Sequence, residues 1–127
     1  MKSLTITVSL ILAGAMAYGV AALAQPAGGG KADPVKVDAK HYKVEFENES
    51  VRVLRISYAP GEKSVMHYHP NAVAVYLTDG KTKMTTPDGK SQDMLAKAGA
   101  AEWTPAGSHL PQNTGGKLEL ILVELKK

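Results

Sequence analysis

Short segments in which apolar and polar residues alternate follow one another from residue 40 to the end of the chain. The first are YKVEFENES (42–50) and VRVLRISY (51–58), and later ones include KSVMHYH, AVAVYLTDG, KTKMTT, AEWTPAG and KLELILVELKK. Turn sequences such as Pro-Gly, Asp-Gly and Pro-Asp-Gly separate them. Period-two alternation broken by a turn about every eight to twelve residues is typical of an all-β sandwich or barrel. The pattern predicts antiparallel strands throughout, although SQDMLAKAG (91–99) is also compatible with a helical turn.

The first 24 residues follow a different pattern. They begin with one lysine, continue with apolar and small residues, and end in Ala22-Leu23-Ala24, which matches a signal peptidase site. We interpret residues 1–24 as a signal peptide, so that the mature protein lies in the periplasm or is secreted and has no stable membrane insertion. An uncleaved membrane anchor is the alternative, because the apolar run is nearly long enough to span a bilayer.

The residues after this segment are rich in glycine and proline. QPAGGGKADP (25–34) contains three consecutive glycines and two prolines, a composition typical of flexible linkers. We therefore divide the chain into a signal peptide (1–24), a flexible linker (25–39) and a single β domain (40–127). About 100 residues are enough to bury a modest core.

Charge and cysteine content exclude several classes of function. The 127 residues include 15 Lys plus Arg and 12 Asp plus Glu, for a formal net charge of +3, and no cysteine. This small, evenly spread charge argues against a nucleic-acid partner. The absence of cysteine excludes disulfides and a thiolate nucleophile. No motif presents the nucleophile–base pair or the paired carboxylates of a hydrolase.

Two histidines separated by one residue stand out in the third segment. Side chains at positions i and i+2 of a strand point to the same face, so His67 and His69 point together, along with Val65. Neutral imidazole is a common metal ligand, and two imidazoles on one face can reach a single ion at about 2.0–2.1 Å. From this pair alone, a metal site and a pair of surface histidines remain open.

A third histidine belongs to a second polar stretch, GAAEWTPAGSHLPQN (99–113). Together the two stretches resemble the paired motifs of the cupin family. The first motif is matched by Gly61, His67, His69 and Gly80, and the second by Gly99, Pro105, Gly107, His109 and Asn113. There are two departures: Val73 stands at the position of the family's glutamate, and one residue rather than two separates Gly107 from His109.

The resemblance covers residues 51–125 and implies a small jelly-roll barrel with a metal in its mouth. It implies that His67, His69 and His109 bind a divalent ion of iron, manganese, nickel, copper or zinc. Without the glutamate, three neutral imidazoles would leave the ion's double charge uncompensated and about three positions open to a small anionic or chelating molecule. Some cupin dioxygenases are similar in using three histidines. The alternatives are a non-catalytic binding module and a barrel that has lost its metal.

Other polar and aromatic residues carry weaker hypotheses. Glu102 could reach the metal, but an exposed strand position is the simpler interpretation. Gln112 and Asn113 could support the ligands or only form a turn, and Trp103 and Tyr76 could line a pocket or pack in the core. His41 lies in a polar segment and is expected to be solvated. Arg52 and Arg55 have opposite strand parity, which argues against a paired anion clamp.

The last segment predicts a partner. In LELILVEL (118–125), Leu118, Leu120 and Leu122 share one parity, and Ile121, Val123 and Leu125 share the other. Both faces of this strand are therefore apolar near its end. Since a small domain gains from covering such a surface, we expect a homodimer.

Overall fold

Antiparallel strands in two facing sheets make up most of the computed structural model, which describes residues 31–127. The elements are α1 (Pro34–Val37), β1 (Tyr42–Glu47), β2 (Val51–Tyr58), β3 (His67–His69), β4 (Ala72–Tyr76), β5 (Gly80–Thr85), β6 (Ser91–Ala96), β7 (Ala101–Thr104), β8 (Gly107–Asn113) and β9 (Leu118–Leu125). The segment at 91–99 forms the strand β6 rather than a helical turn. The predicted signal peptide and the first part of the predicted linker lie outside the described residues.

The two sheets have the crossed-over strand order of a jelly roll. One sheet has five strands in the order β1-β2-β9-β4-β7, and the other has four in the order β3-β8-β5-β6. Every pairing between these strands is antiparallel. The predicted all-β antiparallel jelly roll is thus confirmed.

The core lies between the sheets and follows from side-chain alternation along β2, β4 and β9. In each of these strands every second residue is buried. The buried apolar residues are Tyr42, Leu54, Ile56, Tyr58, Ala72, Ala74, Tyr76, Leu118, Leu120 and Leu122. The residues that alternate with the buried ones face outward. Each of these strands therefore contributes both to the core and to the outer surface of the five-stranded sheet.

Two of the motif glycines lie in turns with a backbone conformation that is strained for any other residue. Gly61 has φ 78° and Gly99 has φ 84°, in the left-handed region where a Cβ atom is disfavoured. The Gly61 turn leads from β2 towards β3, and the Gly99 turn joins β6 to β7. Gly61 therefore shapes the connection that leads to the histidine-bearing strand β3, and Gly99 the connection that leads to β7.

The predicted flexible linker ends earlier than expected, because residues 32–39 pack on the barrel. The backbone N–H of Tyr68 donates to the Ala32 carbonyl at 2.9 Å, and Pro34 is buried at the start of α1. Asp33 caps this helix by accepting from the Val35 N–H at 3.2 Å. Between residues 31 and 127, no helix is long and apolar enough to cross a membrane.

Truncating the most buried leucine should measure the contribution of the core. Leu54 is 0% exposed, so Leu54→Ala should lower the free energy of unfolding by about 2–5 kcal/mol, through lost burial and the cavity left behind. Urea denaturation followed by circular dichroism measures this change. The matched control is Leu95→Ala, at a side chain 75% exposed on β6, which should change stability by less than about 0.5 kcal/mol. Equal losses in both variants would contradict this description of the core.

Candidate metal centre

Two neighbouring strands of the four-stranded sheet bring three histidines to one inner face. His67 and His69 alternate inward along β3, where they are 1% and 4% exposed. In the antiparallel pair with β8, His67 lies directly opposite His109, and directly opposed residues share a face. The predicted set His67, His69 and His109 is therefore brought together. Val65, expected on the same face, precedes β3 and is exposed.

The spacing of the three imidazoles suits a single metal ion once the rings turn towards it. One nitrogen from each ring lies within 4.8 Å of the others, and the ring centroids are 4.8, 4.9 and 5.2 Å apart. With metal–imidazole bonds of about 2.0–2.1 Å, the ligand nitrogens of one tetrahedral or octahedral ion lie about 2.9–3.4 Å apart. The most distant pair therefore has to approach by up to about 2 Å, which requires rotation of the imidazole rings.

His67 is oriented so that one nitrogen is left without a protein partner. Its Nδ1 lies 2.8 Å from the Val65 carbonyl, to which it donates. Its Nε2 is buried and has no hydrogen-bond partner among residues 31–127. Burial, and then the neighbouring His69 ring, lower the pKa of His67 to about 4. The ring is therefore neutral near pH 7, with an Nε2 lone pair directed into the cluster, as a metal ligand requires.

His69 is held by a carboxylate that the sequence analysis did not identify. Its Nδ1 lies 2.6 Å from Oε1 of Glu124, which is 2% exposed on β9. The other carboxylate oxygen of Glu124 accepts from Nε of Arg52 at 2.5 Å. Burial raises the pKa of Glu124, but the hydrogen bonds from His69 and Arg52 outweigh this effect and leave the pKa below its ordinary value. The carboxylate thus fixes the proton of His69 on Nδ1 and leaves Nε2 for a metal.

His109 is the least constrained of the three. Its ring makes no hydrogen bond within the described part of the chain, in contrast to the rings of His67 and His69. Burial, followed by the charges of His69 and His67, lowers its pKa to about 3. Its ring is therefore neutral and is the one best able to rotate towards an ion.

Two tyrosines complete the inner wall beside the cluster. The Tyr42 ring packs edge-on against His67, with centroids 4.7 Å apart. Its hydroxyl lies 2.6 Å from that of Tyr58, and burial, followed by the proximity of Tyr58, raises the pKa of Tyr42. Tyr42 is thus a neutral phenol whose oxygen is already bonded to Tyr58, and it supports the histidine rings by packing.

The assignment of the missing glutamate position to Val73 is corrected by the structure. In β4 the buried residues are Ala72, Ala74 and Tyr76, so Val73 faces outward. Ala74 instead lines the small interior cavity that His69 and His109 also line. The inward position for a ligand from β4 is therefore one residue later than the predicted one, and a methyl group occupies it.

A cleft of about 630 Å³ opens from His69 and His109 to the surface. Glu102 lines it from β7, where it lies opposite Ala74 and is half-buried rather than exposed as expected. Its carboxylate does not belong to the histidine cluster. Tyr76 and Trp103 also line the cleft, as one of the two interpretations expected; Tyr76 is in addition buried in the core, whereas Trp103 is 57% exposed. The cleft gives a small molecule a route to the imidazoles and places one carboxylate in its wall.

Two further predictions about polar residues are settled by their contacts. His41 is not solvated: it is 6% exposed, and its two nitrogens lie 2.8 Å from Asp38 and 3.0 Å from Glu62. Asn113 donates to the carbonyls of Ala59 and Gly116 at 3.0 and 2.7 Å, so it closes turns rather than supporting a ligand. Gln112 has the opposite strand parity to His109 and faces away from the cluster.

Sequence comparisons and structural comparisons differ in what they detect. No family profile matches the sequence, and no curated protein does. Among solved structures, the chain is similar to a cupin domain from Bordetella pertussis, with TM-score 0.63 and 27% identity over 68% of this chain and 92% of that one. A Klebsiella pneumoniae protein with a double-stranded β-helix domain (TM-score 0.54, 20% identity, 66% and 74% covered) and a Desulfitobacterium hafniense cupin superfamily protein (0.53, 16%, 68% and 76%) share the fold. The strand order and these similarities together show that residues 31–127 have the cupin fold, as a small single barrel.

Proposed function

We propose that this domain binds one divalent metal ion through His67, His69 and His109 and uses it to hold a small anionic or chelating molecule. The observation that carries the proposal is the buried, unpartnered Nε2 of His67, beside the imidazoles of His69 and His109. A buried polar atom without a partner is costly in an apolar barrel. A metal ion offsets that cost, and the same ion satisfies the neighbouring rings.

The choice of ligand class follows from the charge and coordination of the site. Three neutral imidazoles leave the double charge of the ion uncompensated among its direct ligands, and they leave coordination positions open on the side of the cleft. When bound, the metal would act as a Lewis acid towards an oxygen or nitrogen donor of the small molecule. The cleft volume of about 630 Å³ is within the range of small-molecule sites.

A dioxygenase and a non-catalytic binding module both remain compatible with this proposal. The open positions favour the first, because a bidentate substrate and dioxygen could occupy them together. Oxygen consumption by the iron-loaded protein, measured with a panel of diketones, thiols, catechols and flavonols, separates the two. Uptake that depends on both iron and one of these substrates supports the dioxygenase. Tight binding of a chelating anion without oxygen uptake supports the binding module.

Removing a ligand should abolish metal binding. We expect the untagged protein to bind about one divalent ion per chain, and His67→Ala or His109→Ala to lose most of it, because two imidazoles hold an ion far less tightly than three. Elemental analysis after dialysis against zinc, iron or manganese measures this occupancy.

His41→Gln is the matched control for these variants. It removes an imidazole that bonds to Asp38 and Glu62 and lies outside the cluster, so its metal content should equal that of the parent. The ligand assignment would be wrong if His67→Ala and His109→Ala retained full occupancy.

Adding a carboxylate should strengthen metal binding at position 74 and not at position 73. Ala74 shares the interior cavity with His69 and His109, so Ala74→Glu should supply a fourth, negatively charged ligand and raise metal affinity. Val73→Glu faces outward and should leave affinity unchanged. Competition with a chromophoric chelator measures both affinities.

Ala74→Gln controls for the volume of the added side chain without its charge. It should raise affinity less than Ala74→Glu does. A larger gain from Val73→Glu than from Ala74→Glu would restore the original assignment of the motif.

We also propose that the outer face of the five-stranded sheet pairs with a second copy of this chain. One apolar residue from each strand lies in lateral register across this face: Phe46, Val53, Val123, Val73 and Trp103. Phe46 and Trp103, at its two edges, are 53% and 57% exposed. With strands about 4.8 Å apart, the row is about 20 Å long.

The charges around this face favour a second copy over a charged partner. Arg55 pairs with Glu45 and Glu119, and Lys126 pairs with Glu47. A homotypic contact brings each surface close to an identical one, so internally neutralised charges avoid like-charge repulsion. A two-fold axis near Val123, on the central strand, would place each Phe46 against the Trp103 of the other copy.

A charge in the middle of this face should separate the copies. We expect the parent protein to be a dimer at tens of micromolar, and Val123→Glu to be a monomer with an unchanged circular dichroism spectrum, because the new carboxylate would be buried in the contact. Light scattering coupled to gel filtration measures the mass. Leu95→Glu, on the other sheet, is the control and should remain dimeric. A monomeric parent would overturn the proposal.

A further inference from the structure

The segment before the barrel, residues 31–38, crosses the edge of the fold that carries the metal-binding strand β3. We call this segment the N-terminal strap. Its Ala32 carbonyl accepts from the Tyr68 N–H, between the two histidines of β3, and Lys31 lies 4.1 Å from the centre of the Tyr68 ring. Pro34 is buried against the barrel. The strap therefore lies directly alongside the ligand-bearing strand.

One side chain connects this strap to the histidine cluster. Arg52 donates through one terminal nitrogen to Asp33 Oδ2 at 3.1 Å and through Nε to Glu124 Oε2 at 2.5 Å. Glu124 in turn accepts from Nδ1 of His69 at 2.6 Å. A continuous series of hydrogen bonds thus runs from the strap, through Arg52 and Glu124, to one of the three imidazoles.

We propose that Arg52 and Asp33 are positioning residues for His69, so that docking of the N-terminal strap is linked to metal affinity; this inference rests on the proposed metal-binding function. Arg52 donates to one oxygen of the buried Glu124 and so holds the other oxygen towards Nδ1 of His69. Asp33 holds Arg52 in turn, by accepting from a second nitrogen of the guanidinium group. The strap contributes no metal ligand, yet it determines how firmly one ligand is held.

The physical reason lies in the burial of Glu124. A carboxylate that is 2% exposed is held in place by its few hydrogen-bond partners, which here are Arg52 and His69. Without Arg52, one carboxylate oxygen would have no donor, and the group would be free to turn away from His69, which would then lose its acceptor. The His69 ring would then be free to exchange its proton between Nδ1 and Nε2 and to rotate, which removes the preorientation of the Nε2 lone pair.

The contact of one side chain with two carboxylates explains why an arginine occupies this position. A guanidinium group presents several N–H donors in a fixed planar fork, so it can hold two carboxylates in set directions. A lysine has the same charge but a single flexible ammonium group. Arg52→Lys should therefore retain the charge and lose part of the alignment, which distinguishes positioning from charge compensation alone.

The test measures zinc affinity and the tautomer of His69 in the same set of full-length variants. Zinc dissociation constants come from competition with a chromophoric chelator, and the tautomer comes from long-range proton–nitrogen NMR spectra of the zinc-free protein. Arg52→Gln should weaken zinc binding by about 10–100-fold, the range for loss of a group that orients a ligand. Arg52→Lys should show an intermediate loss, and Asp33→Asn a smaller loss in the same direction. In Arg52→Gln the His69 proton should be shared between Nδ1 and Nε2.

Arg55→Gln is the matched control. Arg55 lies on the same strand with opposite parity and forms ion pairs with Glu45 and Glu119, away from the cluster. Its removal should lower stability by a similar or smaller amount and leave both zinc affinity and the His69 tautomer unchanged. Asp33→Asn leaves Arg52 paired with Glu124, so it keeps the test valid if Arg52→Gln does not fold.

The possible results separate this inference from the proposed function. If the parent protein binds no zinc, the proposed function fails, and the tautomer alone decides whether Arg52 positions His69. If the parent binds zinc and the Arg52 and Asp33 variants bind it equally well with the parent's tautomer, the positioning role is overturned. If Arg55→Gln also loses zinc affinity, the loss reflects lower stability, and the positioning role is overturned in that case too.

Discussion

Three imidazoles brought together inside an apolar barrel are the arrangement on which the rest of the site depends. Each ring must lose its hydration, and the nitrogen that faces the cluster cannot bond to the protein without being lost as a ligand. The protein meets these requirements for two of the rings by hydrogen-bonding to Nδ1, the nitrogen that is not needed as a ligand. The Val65 carbonyl holds His67, Glu124 holds His69, and both leave the inner nitrogen available. The buried Nε2 of His67, which has no partner among residues 31–127, is costly in an apolar interior, and it is the atom that the proposed ion would satisfy.

The fold and the pairing of His67 with His69 on one face were predictable because both depend on local spacing. Strand alternation and turn residues indicate antiparallel β structure wherever one face is buried, and the i, i+2 relation places His67 and His69 together without knowledge of their neighbours. The pairing of β3 with β8 depends on the whole topology, so spacing alone did not bring in His109. The resemblance of the two stretches to the paired cupin motifs linked His109 to His67 and His69. The register of β3 with β8 explains why they lie together.

The residues that were missed make contacts across long distances in the chain. His41 was expected in solvent because Glu62, one of its two partners, comes from a different segment. Glu124 was overlooked in a strand dominated by leucine, although its parity is that of Leu118, Leu120 and Leu122, all of which are buried. Alternation applied strictly to β9 would have placed a carboxylate inside the barrel. In β4 the sequence Ala-Val-Ala-Val-Tyr is apolar on both faces, so the same rule could not separate Ala74 from Val73.

In strand β9, the alternation of side chains contributes to both the interior of the barrel and the outer face of the five-stranded sheet. Its inward residues end in Glu124, which hydrogen-bonds to the candidate ligand His69, and its outward residues form the centre of the apolar face. The position of Glu124 also changes the meaning of the missing glutamate. A negative charge one imidazole away from the ion strengthens the basicity of His69 and offsets part of the ion's charge without occupying a coordination position. The site can therefore retain a metal through three histidines while its open positions, on the side of the cleft and Glu102, stay free for a chelating molecule.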